Sequence, residues 1–359
     1  MSGDRPTERD LTLPVHGTAA GSAYLALPPT AVDARPAGPT GLIVAWPGFD
    51  PPRAAAALAT AMPMTGVPVW RVYLELPGDA EGAAGGLGSG AILESRFIEA
   101  YGAAVEEAAE RLPDALADIR RDLGLDEGPV GLAGFSAGGS AALLAVARGA
   151  VPISTAAVVA PVIAPSRSAG AVEKRAARDR AWTEEARELA DRLDLGMRAA
   201  DIAARDTALL LIGGAKDRVV PPAEITALRD LLRRCGAGAV ESATFRMAHA
   251  LAAEPGTAAR PPITEAVRVD GVLTDWFRER IAETVPGAEP ETGGEAIGAE
   301  AIGADPPDDA ADETAAPNPP AHAWPAPPAA NGTAASEPAS PDVTGTWLEP
   351  ASGGRGRHS

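Results

Sequence analysis

Residues 129–146 read Pro-Val-Gly-Leu-Ala-Gly-Phe-Ser-Ala-Gly-Gly-Ser-Ala-Ala-Leu-Leu-Ala-Val, and this stretch decides the fold. A short apolar run leads into Gly-x-Ser-x-Gly, and a run of small residues typical of a helix follows. This order predicts a nucleophile elbow, a strand-to-helix turn that lifts the hydroxyl of Ser136 out at the top of a sheet. The turn is so tight that glycine is required at Gly134 and Gly138. Because the pentapeptide alone is a weak signal, the prediction also needs a histidine and an acid further along the chain.

The histidine is the first of these two partners. A serine hydroxyl becomes a good nucleophile at neutral pH when a neutral imidazole accepts its proton and a carboxylate orients that imidazole. The predicted folded region holds two histidines, His16 and His249. His16 precedes the predicted core sheet, whereas His249 directly follows the last predicted strand, on a loop before the final helix. A hydrogen-bonded structural histidine is the alternative interpretation, but the elbow favours His249 as the catalytic base.

The acid is predicted from residues 209–221, which read Leu-Leu-Leu-Ile-Gly-Gly-Ala-Lys-Asp-Arg-Val-Val-Pro. This is a buried strand, a glycine turn and then Asp217, at the carboxyl end of a strand where catalytic groups collect in open α/β sheets. The alternative is a turn-forming aspartate paired with Lys216 or Arg218, in which case Glu241 and Asp50 are the next acids to test. If Asp217 is the acid, the chain order is Ser, Asp, His, as an α/β-hydrolase arrangement requires.

Two backbone amides are expected to stabilise the oxyanion of a tetrahedral intermediate. One is the amide of Ala137, directly after the nucleophile, where the dipole of the elbow helix also helps. The second is expected in the loop after an early strand, where residues 44–50 read Val-Ala-Trp-Pro-Gly-Phe-Asp. Gly48 permits a sharp turn there, so Phe49 is the predicted second donor.

The rest of the folded region alternates apolar, strand-like runs with helical ones. This alternation predicts an α/β fold with a mostly parallel central sheet covered by helices on both faces. The predicted strands are 11–15, 22–27, 41–46, 67–74, 130–134, 155–160, 207–212 and 239–245, and the first two form an antiparallel pair. The predicted helices are 53–62, 92–109, 112–123, 138–148, 223–234 and 263–281.

Three segments depart from this alternation. Residues 1–10 form a polar N-terminal arm before the hydrolase-like domain, which we predict over 11–284. Residues 165–205 are charged and helical, and they predict a small cap-like insertion over the site; a longer ordinary crossover helix is the alternative. Residues 285–359 are rich in Pro, Ala and Gly, and from Pro286 onward they carry 12 acids against two arginines. They are predicted to be a disordered acidic tail because they show no apolar period with which to pack.

Composition narrows the function classes. The net charge of −18 and a pI near 4.7 argue against nucleic acid and against an anionic membrane surface as partners. Cys235 is the only cysteine, which excludes an intrachain disulfide and a cysteine metal site. The N-terminal residues are polar and charged, without a secretory apolar region. These features predict a cytoplasmic protein, a monomer or homodimer.

Together the three motifs resemble those of the α/β-hydrolase superfamily, in particular its esterase, dienelactone-hydrolase and acyl-peptidase-like branches. The resemblance covers residues 11–284 and rests on Gly134–Gly139, Gly213–Pro221 and Ala248–Leu251. One departure is that the family usually has His-Gly before the oxyanion residue, whereas this chain has Pro47-Gly48. In the family that histidine braces the loop, so its absence bears on substrate class more than on catalysis.

This resemblance implies a serine hydrolase that cleaves a carboxylic ester or related acyl bond of a small-molecule substrate. Ser136, Asp217 and His249 would form the triad and act through an acyl-enzyme, without a metal or an organic cofactor. Acyl transfer and peptide-bond cleavage are alternatives, because the same triad serves both. A non-catalytic binding protein on a hydrolase fold is the alternative from another class.

Overall fold

The computed structural model describes residues 13–38, 40–78 and 88–284. The N-terminal arm at 1–10 and the acidic tail at 285–359 lie outside the described residues. The strands are β1 Val15–Ala19, β2 Ser22–Leu27, β3 Ala34–Pro36, β4 Leu42–Trp46, β5 Trp70–Leu74, β6 Val130–Phe135, β7 Ile153–Val159, β8 Ala208–Gly214, β9 Val240–Phe245 and β10 Ala282–Thr284. The helices are α1 Ala55–Ala61, α2 Ser95–Leu123, α3 Ala137–Arg148, α4 Pro165–Ala176, α5 Glu184–Arg192, α6 Ala199–Ala203, α7 Pro222–Arg234 and α8 Thr264–Ile281.

Eight of the described strands form one mixed sheet in the order β1-β2-β5-β4-β6-β7-β8-β9. Six neighbouring strands run parallel, in the order β5, β4, β6, β7, β8 and β9. Strands β1 and β2 add an antiparallel edge next to β5. From β4 the chain moves first to β5 on one side and then to β6 on the other. A crevice for ligands forms where the strand order reverses in this way, so the fold opens a site between the carboxyl ends of β4 and β6.

Helices cover both faces of this sheet. One layer of apolar contacts joins the sheet to α2, α3 and α7, and a second joins its other face to α1 and α8. Strands between two helical layers have no face in water, and β4, β5 and β6 are accordingly buried at every residue. The predicted fold class, an α/β protein with a mostly parallel sheet, is confirmed.

The structure differs from the predicted elements in several places. The opening strand is Val15–Ala19 and not residues 11–15. The break predicted between 109 and 112 is wrong, because α2 continues through Pro113 for 29 residues. Proline removes one helical hydrogen bond, but the apolar residues on both sides of Pro113 stay buried and hold the helix together. The antiparallel pair β3–β10 was not predicted, because each strand has only three residues.

The segment 165–205 folds as α4, α5 and α6 between β7 and β8. Several contacts join this segment to the remainder of the chain, among them two side-chain hydrogen bonds. Arg167 donates to Glu224 on α7 at 2.6 Å, and the indole of Trp182 donates to the Ile92 carbonyl at 2.9 Å. That this segment caps the site stays a prediction. Across the described ranges, no helix is both long and apolar enough to cross a membrane.

Candidate active site

Ser136 lies at the turn between β6 and α3 in a conformation that side chains rarely adopt. Its backbone angles are φ 51° and ψ −116°. The glycines on either side explain how the chain can turn so sharply. A Cβ at Gly134 would lie 2.3 Å from the Gly138 carbonyl oxygen, and a Cβ at Gly138 would lie 2.2 Å from the Trp46 carbonyl oxygen. Both distances are far inside van der Waals contact, so the predicted requirement for glycine has a direct steric cause.

A continuous chain of hydrogen bonds begins at this serine. The Ser136 Oγ lies 2.9 Å from the Nε2 of His249, and the Nδ1 of His249 lies 2.7 Å from the Oδ2 of Asp217. All three residues are buried. The structure therefore brings together the three residues that the sequence analysis selected, from loops that follow three different strands.

Asp217 is held more firmly than a turn aspartate would need to be. Its side chain is 0% exposed. Its Oδ1 accepts hydrogen bonds from the amides of Val219 and Val220 at 2.8 and 2.9 Å, which leaves Oδ2 for His249. Neither Lys216 nor Arg218 pairs with it within the described residues. The same carboxylate therefore both stabilises its own turn and orients the imidazole of His249.

His249 follows β9, and its ring lies against Phe135, the residue before the nucleophile, with 5.5 Å between the ring centroids. Burial by itself would lower the pKa of His249. The hydrogen bond and the charge of Asp217, together with the charge of Asp50, outweigh burial and raise the pKa above its usual value. An imidazolium at this position is therefore stabilised by carboxylates on the sides of both ring nitrogens.

The predicted oxyanion donors lie next to the nucleophile. Ala137 is the first residue of α3, and Phe49 follows Gly48 in the loop after β4; both are buried. Gly48 packs so closely that a Cβ there would be 2.8 Å from the Cβ of Ser136. Neither the Phe49 amide nor the Ala137 amide has an acceptor among the described residues. Two buried donors without acceptors are what an oxyanion site offers.

Asp50, which follows Phe49, was expected to matter only if Asp217 is not the triad acid. Its Oδ2 lies 3.6 Å from the Nε2 of His249, the nitrogen that faces Ser136. Its carboxylate also accepts hydrogen bonds from the amide and hydroxyl of Ser89. The available signal was its position directly after a predicted oxyanion residue, at the carboxyl end of a core strand.

Two other titratable residues lie away from this cluster. His16 is exposed on β1, opposite Leu25 of β2. Glu241 on β9 pairs with Arg280 of α8 at 2.8 Å and is 59% exposed. In the part of the chain that the structure describes, no three His, Cys, Asp or Glu residues are grouped as metal ligands would be.

Known structures share this architecture at low sequence identity. Acylaminoacyl peptidase from Pyrococcus horikoshii, in an orthorhombic crystal form, is 13% identical with a TM-score of 0.50, and the match covers 77% of this chain and 43% of that one. A puromycin-hydrolysing peptidase from Mycobacterium tuberculosis is 16% identical with a TM-score of 0.50, and the match covers 78% of this chain and 41% of that one.

These likenesses concern the fold. The chain spans less than half the length of either peptidase, and the expected α/β-hydrolase fold is confirmed. Searches with the sequence against known protein families and against curated proteins give no match.

Proposed function

We propose that this chain, which has the α/β-hydrolase fold, is a serine hydrolase that cleaves an acyl bond through an acyl-enzyme. One observation carries the proposal: the hydrogen-bonded chain from Ser136 through His249 to Asp217, with the serine on a strained elbow. Strained non-glycine residues concentrate at functional sites. Here the strain directs the hydroxyl at the imidazole.

The roles of the three residues follow from the hydrogen bonds. Asp217 accepts from Nδ1, which fixes the tautomer that leaves Nε2 free to accept the proton of Ser136. The serine oxygen attacks the acyl carbon, and its proton passes to Nε2. The leaving group then takes that proton as it departs and an acyl-serine forms. Water repeats both steps and releases the acid.

The oxyanion that forms during each attack would lie between the amides of Phe49 and Ala137. Both donors are fixed by the backbone before the reaction begins, so they need little reorganisation when charge develops. Burial keeps bulk water from competing for these hydrogen bonds. Loss of a single such donor typically lowers kcat on the order of 100- to 1,000-fold.

A carboxylic ester of a small molecule is the first substrate class to test, and peptide-bond cleavage or acyl transfer by the same residues is the second. The two structural neighbours named above are peptidases by name, which favours the peptidase alternative within the second class. No step of the mechanism requires a metal or an organic cofactor.

A fluorophosphonate probe tests the proposal, because it labels an activated serine and not an ordinary one. The wild-type protein should be labelled at Ser136 and should hydrolyse short p-nitrophenyl esters. Ser136→Ala should remain folded, escape labelling and lose on the order of 10⁴- to 10⁶-fold in kcat. If the wild type is not labelled, the chain is a binding protein on a hydrolase fold.

A further inference from the structure

Asp50 is a carboxylate in the site that the triad mechanism does not use. Its Oδ2 lies 3.6 Å from the Nε2 of His249, and the same nitrogen is 2.9 Å from the Oγ of Ser136. Nε2 is the atom that would return a proton to the leaving group. Asp50 therefore lies beside the position of the departing atom.

The hydrogen bonds of Asp50 hold it in place and leave it able to accept more. The Ser89 amide is 3.2 Å from both carboxylate oxygens, and the Ser89 hydroxyl is 3.1 Å from Oδ1. Its side chain is 15% exposed, so it is neither sealed in the core nor free in solvent. An ionised carboxylate has about four acceptor positions, and Oδ2 retains capacity on the side of His249.

No lysine or arginine among the described residues forms an ion pair with Asp50. The guanidinium of Arg53 lies in the same region, since a Cβ at Gly88 would be 3.0 Å from the Oδ1 of Asp50 and 3.2 Å from the Nη2 of Arg53, but its ion pair is with Glu254 at 3.3 Å. His249 cannot serve as a standing cationic partner, because it must be neutral to accept the proton of the serine. This partly buried carboxylate therefore relies on hydrogen-bond donors, the amide and hydroxyl of Ser89 among the described residues, and a donor on a substrate would add to them.

We infer that Asp50 accepts a hydrogen bond from the nitrogen of the leaving group, so that the substrate is an amide with a hydrogen on its nitrogen. The inference rests on the proposed function. In the tetrahedral intermediate the nitrogen lone pair faces Nε2–H of His249, and the nitrogen's own hydrogen faces Oδ2 of Asp50. A separation of 3.6 Å between the two lets one atom reach both at hydrogen-bond distance.

The bond changes balance without another reactant. The nitrogen lone pair takes the proton of Nε2, the electron pair of the oxyanion re-forms the C=O bond, and the C–N bond breaks with its electrons staying on nitrogen, which leaves the serine ester behind. Positive charge develops on nitrogen as the proton arrives, and the Asp50 carboxylate stabilises it. The released amine keeps its original hydrogen and gains one.

An ester gains nothing from the same carboxylate. Its leaving oxygen has no hydrogen until Nε2 supplies one, and its lone pairs face a negative charge if they are turned towards Oδ2. Asp50 should therefore separate amide from ester substrates at the acylation step, which kcat/KM reports.

Three substrates with one acyl group test this: butyryl p-nitroanilide, its N-methyl analogue without the N–H, and butyryl p-nitrophenyl ester. For each substrate, kcat/KM is measured with the wild type and with Asp50→Asn, at a pH above the acid limb of both proteins' pH profiles. We expect Asp50→Asn to lower kcat/KM for the anilide roughly 10- to 100-fold, with the ester and the N-methyl anilide nearly unchanged. Ser89→Ala, which removes one hydrogen bond to Asp50, should have a smaller effect in the same direction.

Glu254→Gln is the matched control, since it removes an exposed carboxylate that contacts Arg53 and not His249; it should leave all three values unchanged. An equal loss on ester and anilide would overturn the inference, because Asp50 would then act only through His249. The inference would also be overturned if the fluorophosphonate labels the wild type and the wild type cleaves the ester but not the anilide. That result would leave the proposed function intact. An unlabelled wild type would instead overturn the proposed function.

Discussion

The turn after β8 and the loop after β4 each place an aspartate near His249, on opposite ring nitrogens, and they bind their carboxylates differently. Asp217 is fully buried, and both of its oxygens are occupied, one by two backbone amides and the other by Nδ1. Asp50 is partly exposed, has Ser89 as its hydrogen-bond donor among the described residues, and lies 3.6 Å from Nε2. Asp217 is sealed from solvent and can orient the ring only, whereas Asp50 is partly exposed and can also meet a substrate.

Among the acidic residues, the largest effect should come from Asp217→Asn, which removes the carboxylate that orients His249. The amide keeps the shape but can donate a hydrogen to Nδ1, which favours the wrong tautomer of His249. We expect kcat to fall about 10²- to 10⁴-fold with little change in KM, and labelling by the fluorophosphonate to slow. A folded variant with kcat near that of the wild type would show that Asp217 is only a turn residue.

Asp50→Asn should have a smaller effect, visible in the pH profile of ester hydrolysis. The charge of Asp50 contributes to the raised pKa of His249, and the imidazole must be neutral to act as a base. Removing the charge lowers that pKa, so the acid limb of kcat/KM should move to lower pH. The groups that face His249 are Asp217 at Nδ1 and Ser136 with Asp50 at Nε2. An unmoved acid limb would show that Asp50 does not act on the imidazole electrostatically.

The smallest effect is expected for Glu241→Gln, an acid on the neighbouring strand β9 without a contact to the imidazole. It forms an exposed pair with Arg280 at 2.8 Å, and such pairs contribute about 0–1 kcal/mol. Activity and its pH profile should match the wild type, and the thermal midpoint should change by a few degrees at most. A clear loss of kcat would mean that negative charge alone, and not position at His249, explains the other two variants.

The sequence predicted the parts of this site whose geometry demands particular residue types. Only glycine fits at Gly134 and Gly138. Asp217 comes directly after an apolar strand, so the local sequence also indicates that it lies at the carboxyl end of the sheet. Asp50 was predicted only as an alternative to Asp217, and its place beside Nε2 and its partner Ser89 were not predicted, because Asp50 meets His249 through the order of the strands and not through any local pattern. An aspartate before two prolines has the composition of an ordinary turn.

Fold elements with a local sequence signal were likewise predicted, and those that depend on distant contacts were not. Continuously apolar strands such as β4 and β6 can be predicted from their local sequence alone, and the structure contains them. The continuity of α2 across Pro113 and the β3–β10 pair depend on packing between distant segments, which a single window of sequence does not contain.

The backbone conformation of Ser136 that activity requires also lowers the stability of the folded protein. A residue with φ of 51° and ψ of −116° costs on the order of 1–3 kcal/mol, and alanine at this position bears that cost as serine does. Glycine does not, because it lacks a Cβ. Of two inactive proteins, Ser136→Gly should therefore unfold at a higher temperature than Ser136→Ala. At this one residue, the active wild-type protein is therefore less stable than the inactive Ser136→Gly variant.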